Sequence, residues 1–196
     1  MRPIIALGSG GFSMEPDNPL LDLYILKQAK KTTPKICFIP TASGDSDHYI
    51  SRYYNFFHKQ NCKLSHLSLF KPPTRDLEGF ILEKDIIYVG GGNTRNLLVL
   101  WKEWGLDNIL RKAWNQGIVL DGISAGSICW FEEGVTDSFG EGLESIRYLG
   151  FLFLKGSNCP HYDGESDRRP SYHKLIYSGD IQAGIAADDG VAIHYI

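Results

Sequence analysis

Long apolar runs are missing from this chain. Met1-Arg2-Pro3 passes into only four apolar residues, Ile4-Ile5-Ala6-Leu7, too few for the core of a secretion signal or for a membrane span. Closely paired cysteines are missing too. Cys37, Cys62, Cys129 and Cys159 form no C-x-x-C unit, and Cys37 and Cys129 fall inside apolar runs. That argues against a disulfide framework and for reduced core cysteines in a cytoplasmic protein. No Lys/Arg cluster is present, and a formal charge of −3 leaves no electrostatic footprint for nucleic acid. The histidines, at positions 48, 58, 66, 161, 173 and 194, show neither H-x-x-x-H nor H-E-x-x-H spacing, so no metal is expected. Repeats and low-complexity tracts are absent as well. What remains reads as one domain over residues 1–196, and its 43% hydrophobic content can bury a full core without staples.

What the chain does have is rhythm. Short apolar runs predict strands at Ile4 to Leu7, Ile36 to Ile39, Leu64 to Leu69, Ile86 to Val89 and Ile118 to Leu120. Helical patterns fill the intervals at Leu20 to Lys30, Tyr49 to Gln60, Asn93 to Trp104 and Leu106 to Asn115, with Thr94 as the cap of the third. Strand and helix in alternation imply an α/β fold with a mainly parallel sheet covered on both faces, and chemistry at the carboxyl ends of its strands. Gly-rich turns follow three of the strands: Gly8-Ser9-Gly10-Gly11, Gly90-Gly91-Gly92-Asn93-Thr94, and the turn around Ser124. In a parallel sheet all three open on one edge. After residue 140 strands shorten, and the last residues read as a hairpin turning at Asp189-Gly190. An ending on a strand leads us to expect a few further residues in the natural chain.

Gly122-Ile123-Ser124-Ala125-Gly126 is a Gly-x-Ser-x-Gly turn between a strand and a helix, the pattern of a nucleophile elbow. Serine is a weak nucleophile and needs a base held by a third group. His58 and His66 lie within regular elements. His161 sits in the loop Asn158-Cys159-Pro160-His161-Tyr162-Asp163, where Pro160 stiffens the backbone. The acid could be Asp137, Asp163, Asp188 or Asp189. Asp163 is badly placed to orient the ring from two residues away, whereas Asp189 would be rigidly presented by its turn. An Asp-Gly pair is also what a tight turn wants for its own sake. The Gly90–Thr94 run lacks the Lys-Ser/Thr ending of a P-loop and the third Gly of G-x-G-x-x-G, so nucleotide binding is not expected. Beside Ser124, its N–H groups would serve an oxyanion hole.

These stretches, in this order, resemble the dipeptidase E (aspartyl dipeptidase) and cyanophycinase family of serine peptidases. The resemblance rests on Gly90–Thr94, Gly122–Ser127, Cys159-Pro160-His161-Tyr162-Asp163 and Asp188-Asp189-Gly190, with Gly8–Gly11 and Pro40-Thr41-Ala42-Ser43 in support. It implies a flavodoxin-like three-layer sandwich, similar to class I glutamine amidotransferases but with Ser as nucleophile. Carried over by position, Ser124 would be the nucleophile, His161 the base and Asp189 the acid. The N–H groups of Gly91 or Gly92 and of Ala125 would form the oxyanion hole. Asn93 and Asp137 would line the substrate pocket, with Asp137 the second choice for the acid, and Arg168 and Arg169 would either supply cations for an aspartyl carboxylate or belong to a solvated, charged loop over residues 163–170. The family often has Glu where this chain has Asp189, and Asp is a methylene shorter. The resemblance implies a small peptide as substrate; no cofactor is expected, the charge and short apolar runs leave no nucleic-acid or membrane partner, and a homodimer stays open. An esterase or acyl transferase with the same triad, or a non-catalytic ligand-binding member of the fold, are the alternatives.

Overall fold

Runs such as Ile4–Leu7 and Ile86–Val89 carry apolar side chains on both faces, so a sheet made from them needs covering twice. The computed structural model describes residues 2–147 and 153–196. Strands β1 (Ile4–Leu7), β2 (Lys35–Ile39), β3 (Lys63–His66), β4 (Ile86–Val89) and β5 (Val119–Ile123) pair in parallel in the order β1-β5-β4-β2-β3. One face lies under α1 (Gly11–Met14), α2 (Leu20–Gln28) and α3 (Asp47–Phe57), where Phe12, Ile25, Tyr53 and Phe57 pack on Ile5, Phe38 and Tyr88. The other lies under α4 (Leu77–Leu82), α5 (Thr94–Glu103), α6 (Leu106–Asn115) and α7 (Ala125–Ile128), where Ile81, Trp101, Leu110 and Ile128 pack on Ile4, Cys37, Ile87 and Leu120. Alternate residues of each strand therefore feed two separate cores.

Three local expectations need correcting. Strand β5 runs past Leu120 through Asp121 to Ile123, because Asp121 is fully buried inside the sheet instead of breaking it. Strand β3 stops at His66, although Leu67 N–H still donates to Phe38 O at 2.8 Å. Asn93, not Thr94, caps α5: its Oδ1 accepts from Asn96 N–H at 2.8 Å, while Thr94 N–H goes to Ser138 Oγ.

A second sheet begins earlier than the change of character at residue 140 suggests. It holds β6 (Phe131–Thr136), β7 (Glu144–Arg147), β8 (Leu154–Cys159) and β9 (Ile185–Ala186), in the order β7-β6-β8-β9, with α8 (Arg168–Tyr177) between the last two. Phe151 and Leu152, the first half of the apolar run ahead of His161, lie outside the described residues. The hairpin expected at Asp189-Gly190 does not form. Strand β9 pairs in parallel with β8, whereas β10 (Ala192–Tyr195) pairs antiparallel with β1 at the edge of the main sheet. A turn does occur there, closed by Val191 N–H to Asp188 O at 3.2 Å, but it carries the chain from one sheet to the other. All four cysteines are free. Among the described residues, no helix is long and apolar enough to cross a membrane.

Candidate active site

Strands β1, β5 and β4 are neighbours and parallel, so the turns after them meet at one edge. Ser124 stands at the tip of the middle turn with φ 55° and ψ −114°, a strained conformation for a non-glycine residue. Its carbonyl accepts from Ser127 and Ile128 N–H, which fastens it to the start of α7. Both glycines of the motif are there for space. A methyl on Gly122 would overlap Gly126 O, and one on Gly126 would overlap Val89 O.

His161 follows β8 with φ 55°, and the next residue ties the turn to the inter-sheet segment through Tyr162 N–H to Ala187 O at 3.1 Å. The two sheets thus converge on one hydrogen-bonded chain. Ser124 Oγ lies 2.9 Å from His161 Nε2, and His161 Nδ1 lies 2.9 Å from Asp189 Oδ1. A carboxylate only accepts, so the ring carries its proton on Nδ1 and offers Nε2 to the serine hydroxyl. The His161 side chain is 16% exposed and that of Asp189 41%. Asp163 is not the residue against His161 Nδ1; its Oδ1 accepts from Asp189 N–H at 2.8 Å.

Gly91 abuts the serine, since a Cβ there would lie 3.3 Å from Ser124 Cβ. Its N–H is directed to Tyr49 Oη at 3.4 Å. Among the described residues, the N–H groups of Gly92 and Ala125 meet no protein acceptor, which leaves them open to a ligand oxygen.

Two clefts flank Ser124. One of about 200 Å³ is lined by Ser9, Ser13, Met14, Tyr49, Gly91, Gly92 and Ile123 beside Ser124 and His161, with no Asp, Glu, Lys or Arg side chain. The other, about 330 Å³, is lined by Gly92, Asn93, Asp137, Glu165 and Arg168. Asp137 stands on the exposed loop after β6, whose neighbour Ser138 accepts from Asn93 Nδ2 at 3.1 Å. Asn93 therefore reaches the cleft with its amide already committed to the cap and to this loop. Arg168 is nearly enclosed, its side chain 4% exposed, and donates to Glu165 Oε2 at 2.6 Å and to Val135 O at 3.0 Å. Arg169 lines neither cleft; its guanidinium stacks 5.5 Å from the Tyr162 ring. Of the expected site residues, the structure brings together Ser124, His161, Asp189, Gly91, Gly92, Ala125, Asn93, Asp137 and Arg168, and leaves Arg169 aside. Ser13 and Tyr49, joined by a 2.8 Å hydrogen bond in the cleft wall, carried no motif that could have marked them.

A mostly parallel α/β sheet covered on both sides, with its Gly-rich turns at the carboxyl ends of the strands, is a flavodoxin-like fold. Comparison with known proteins gives the family: the chain belongs to peptidase family S51, whose model matches residues 4–196. It is 66% identical over 196 residues to the uncharacterized peptidase YgaJ of Bacillus subtilis (strain 168), covering all of this chain and 84% of that protein. Among solved structures, a candidate peptidase E protein from Listeria monocytogenes EGD-e superposes with a TM-score of 0.70 at 19% identity, covering 100% of this chain and 94% of that one. A peptidase from an acI-B1 Actinobacterium gives a TM-score of 0.71 at 16% identity, over 98% and 82% of the two chains. At such identities these two structures speak for the fold, and the family match makes the protein a peptidase.

Proposed function

We propose that the chain is a serine exopeptidase domain that cleaves dipeptides and similarly small peptides through an acyl-enzyme. The observation that carries this reading is the unbroken Ser124–His161–Asp189 hydrogen-bond chain at the meeting point of two small clefts. As Ser124 Oγ attacks the scissile carbonyl, its proton passes to His161 Nε2, and Asp189 holds the ring and offsets its new charge. The carbonyl oxygen, now negative, sits against the N–H groups of Gly92 and Ala125, with Gly91 beside them. His161 then gives its proton to the leaving amine, the C–N bond breaks, and water repeats the sequence in reverse to free the acid. Selection of an N-terminal aspartyl residue would run through Arg168, because Arg169 is turned away. Glu165 already occupies the Arg168 Nε, so a substrate carboxylate would share or displace it.

Release of free amino acid from a panel of Asp-X and Ala-X dipeptides tests both levels. Ser124→Ala should lower kcat/KM by about 10⁴-fold or more. Turnover that survives this substitution would end the serine-peptidase reading. Equal turnover of Asp-X and Ala-X, unchanged in Arg168→Ala, would end the aspartyl one alone.

A further inference from the structure

Asp189 stands in an exposed turn on the crossing between two sheets, outside both β9 and β10. The turn that carries His161 holds it there. Asp163 Oδ1 accepts from Asp189 N–H at 2.8 Å, Tyr162 N–H donates to Ala187 O at 3.1 Å, and Glu165 N–H closes the turn on His161 O at 3.2 Å. Gly164 lies between these contacts. A methyl built on it would overlap Asp189 Oδ2 and crowd the carboxyl carbon at 2.6 Å. The backbone of Gly164 is not in the left-handed region, so alanine can adopt its conformation. The glycine is therefore needed for the space above its Cα, and that space is filled by the Asp189 carboxylate.

We propose that Gly164 and Asp163 are positioning residues that seat the Asp189 carboxylate against His161 Nδ1. Asp163 fixes the backbone of the acid, and Gly164 provides the seat for one carboxylate oxygen while the other reaches the ring. The atom that a new methyl would displace is the far end of a rotatable side chain. The fold can thus absorb Gly164→Ala by turning Asp189 away, and the change is felt at His161. The inference rests on the reading of Ser124, His161 and Asp189 as one catalytic unit, but its geometry can be tested without turnover.

The experiment is a double-mutant cycle of Gly164→Ala and Asp189→Ala, read in two ways. The His161 Nδ1–H proton resonance in NMR reports the hydrogen bond to the acid directly. With Asp189 turned away that proton loses its charged acceptor, so its low-field signal moves upfield or is lost to exchange. The loss should appear in Gly164→Ala, be at least as complete in Asp189→Ala, and not grow in the double variant. On any peptide the wild type cleaves, Gly164→Ala should lower kcat/KM by about 10²-fold, the cost of a misplacement near 1 Å. In the Asp189→Ala background the second substitution should cost less than about twofold. Asp163→Ala, which leaves the seat but removes the backbone hold, should give a smaller loss of the same kind. Thermal unfolding of Gly164→Ala near the wild-type temperature separates displacement from collapse. An unchanged His161 Nδ1–H resonance in Gly164→Ala, or a Gly164→Ala effect of equal size with and without Asp189, would overturn the proposal. If instead no peptide is cleaved through Ser124, the peptidase reading falls and the NMR cycle still decides the seat.

Discussion

Asp22 and Asp121 share the layer beneath α1 with Tyr88, all three fully buried, and among the described residues none of their side-chain oxygens has a hydrogen-bond partner. Burial pushes the Asp22 carboxyl up to about 7, and burial together with the neighbouring Asp22 holds Asp121 well above the usual carboxylate range. The folded protein therefore keeps protons that the unfolded chain releases near pH 4. Their contribution to stability is complete below about pH 4 and shrinks as pH rises toward 7 and beyond. Asp121→Asn keeps the shape without the charge. It should raise Tm at pH 8 by about 3–8 °C, corresponding to roughly 1–3 kcal/mol, and make little difference at pH 4. Scanning calorimetry at the two pH values checks this, and a Tm lowered at pH 8 would mean that the charged form is the one the fold wants. No sequence pattern announced the pair, since Asp22 lies in a helix and Asp121 in a strand about a hundred positions away.

The elbow shows at the scale of one element how little freedom the site has. Gly126 faces the Val89 carbonyl, which belongs to a central strand and cannot move aside. Gly126→Ala should cost about 1–3 kcal/mol of stability through overpacking and abolish turnover, because Ser124 is displaced with it. Denaturant midpoints and peptide assays would show both, and an active, stable Gly126→Ala would refute the close approach. Helix α5 depends on its capping residue, Asn93, in a milder way. Asn93→Ala removes the Asn96 N–H acceptor and should lower stability by about 1 kcal/mol. It also frees the Ser138 loop, so an accompanying rise in KM would tie this cap to the Asp137 side of the cleft. The elbow glycines could be read from the chain because their spacing repeats a known mechanical solution. The Asn93 cap could be misread because Asn and Thr are adjacent and both cap well.

Across the whole molecule the site is a junction. Ser124 comes from the main sheet, His161 from the end of β8 in the second sheet, and Asp189 from the crossing that joins them. Each hydrogen bond of the chain therefore spans a packing interface. Trp101 and Trp130 are buried 6.1 Å apart in the core under α5 and report on global unfolding. In a urea titration, peptidase activity should fall before their fluorescence changes, since shifts too small to unfold a sheet suffice to part the three residues. Coincident curves would show that the two sheets open only together.

The main sheet, its layers and the meeting of three Gly-rich turns could be derived from the chain alone, because they follow from apolar periodicity and from the geometry of parallel strands. Family membership was equally legible, in motifs whose residues are constrained one by one. Tertiary structure decided the rest. Strands as short as Ile185–Ala186 and Ala192–Tyr195 carry no mark of their partners, so only packing could place them in different sheets. That one choice brings Asp189 to His161 and its backbone N–H to Asp163, while the packing of α8 separately turns Arg169 onto Tyr162 and Arg168 into the cleft. Contacts between residues far apart in sequence depend on which surfaces close on each other, and local pattern does not encode that.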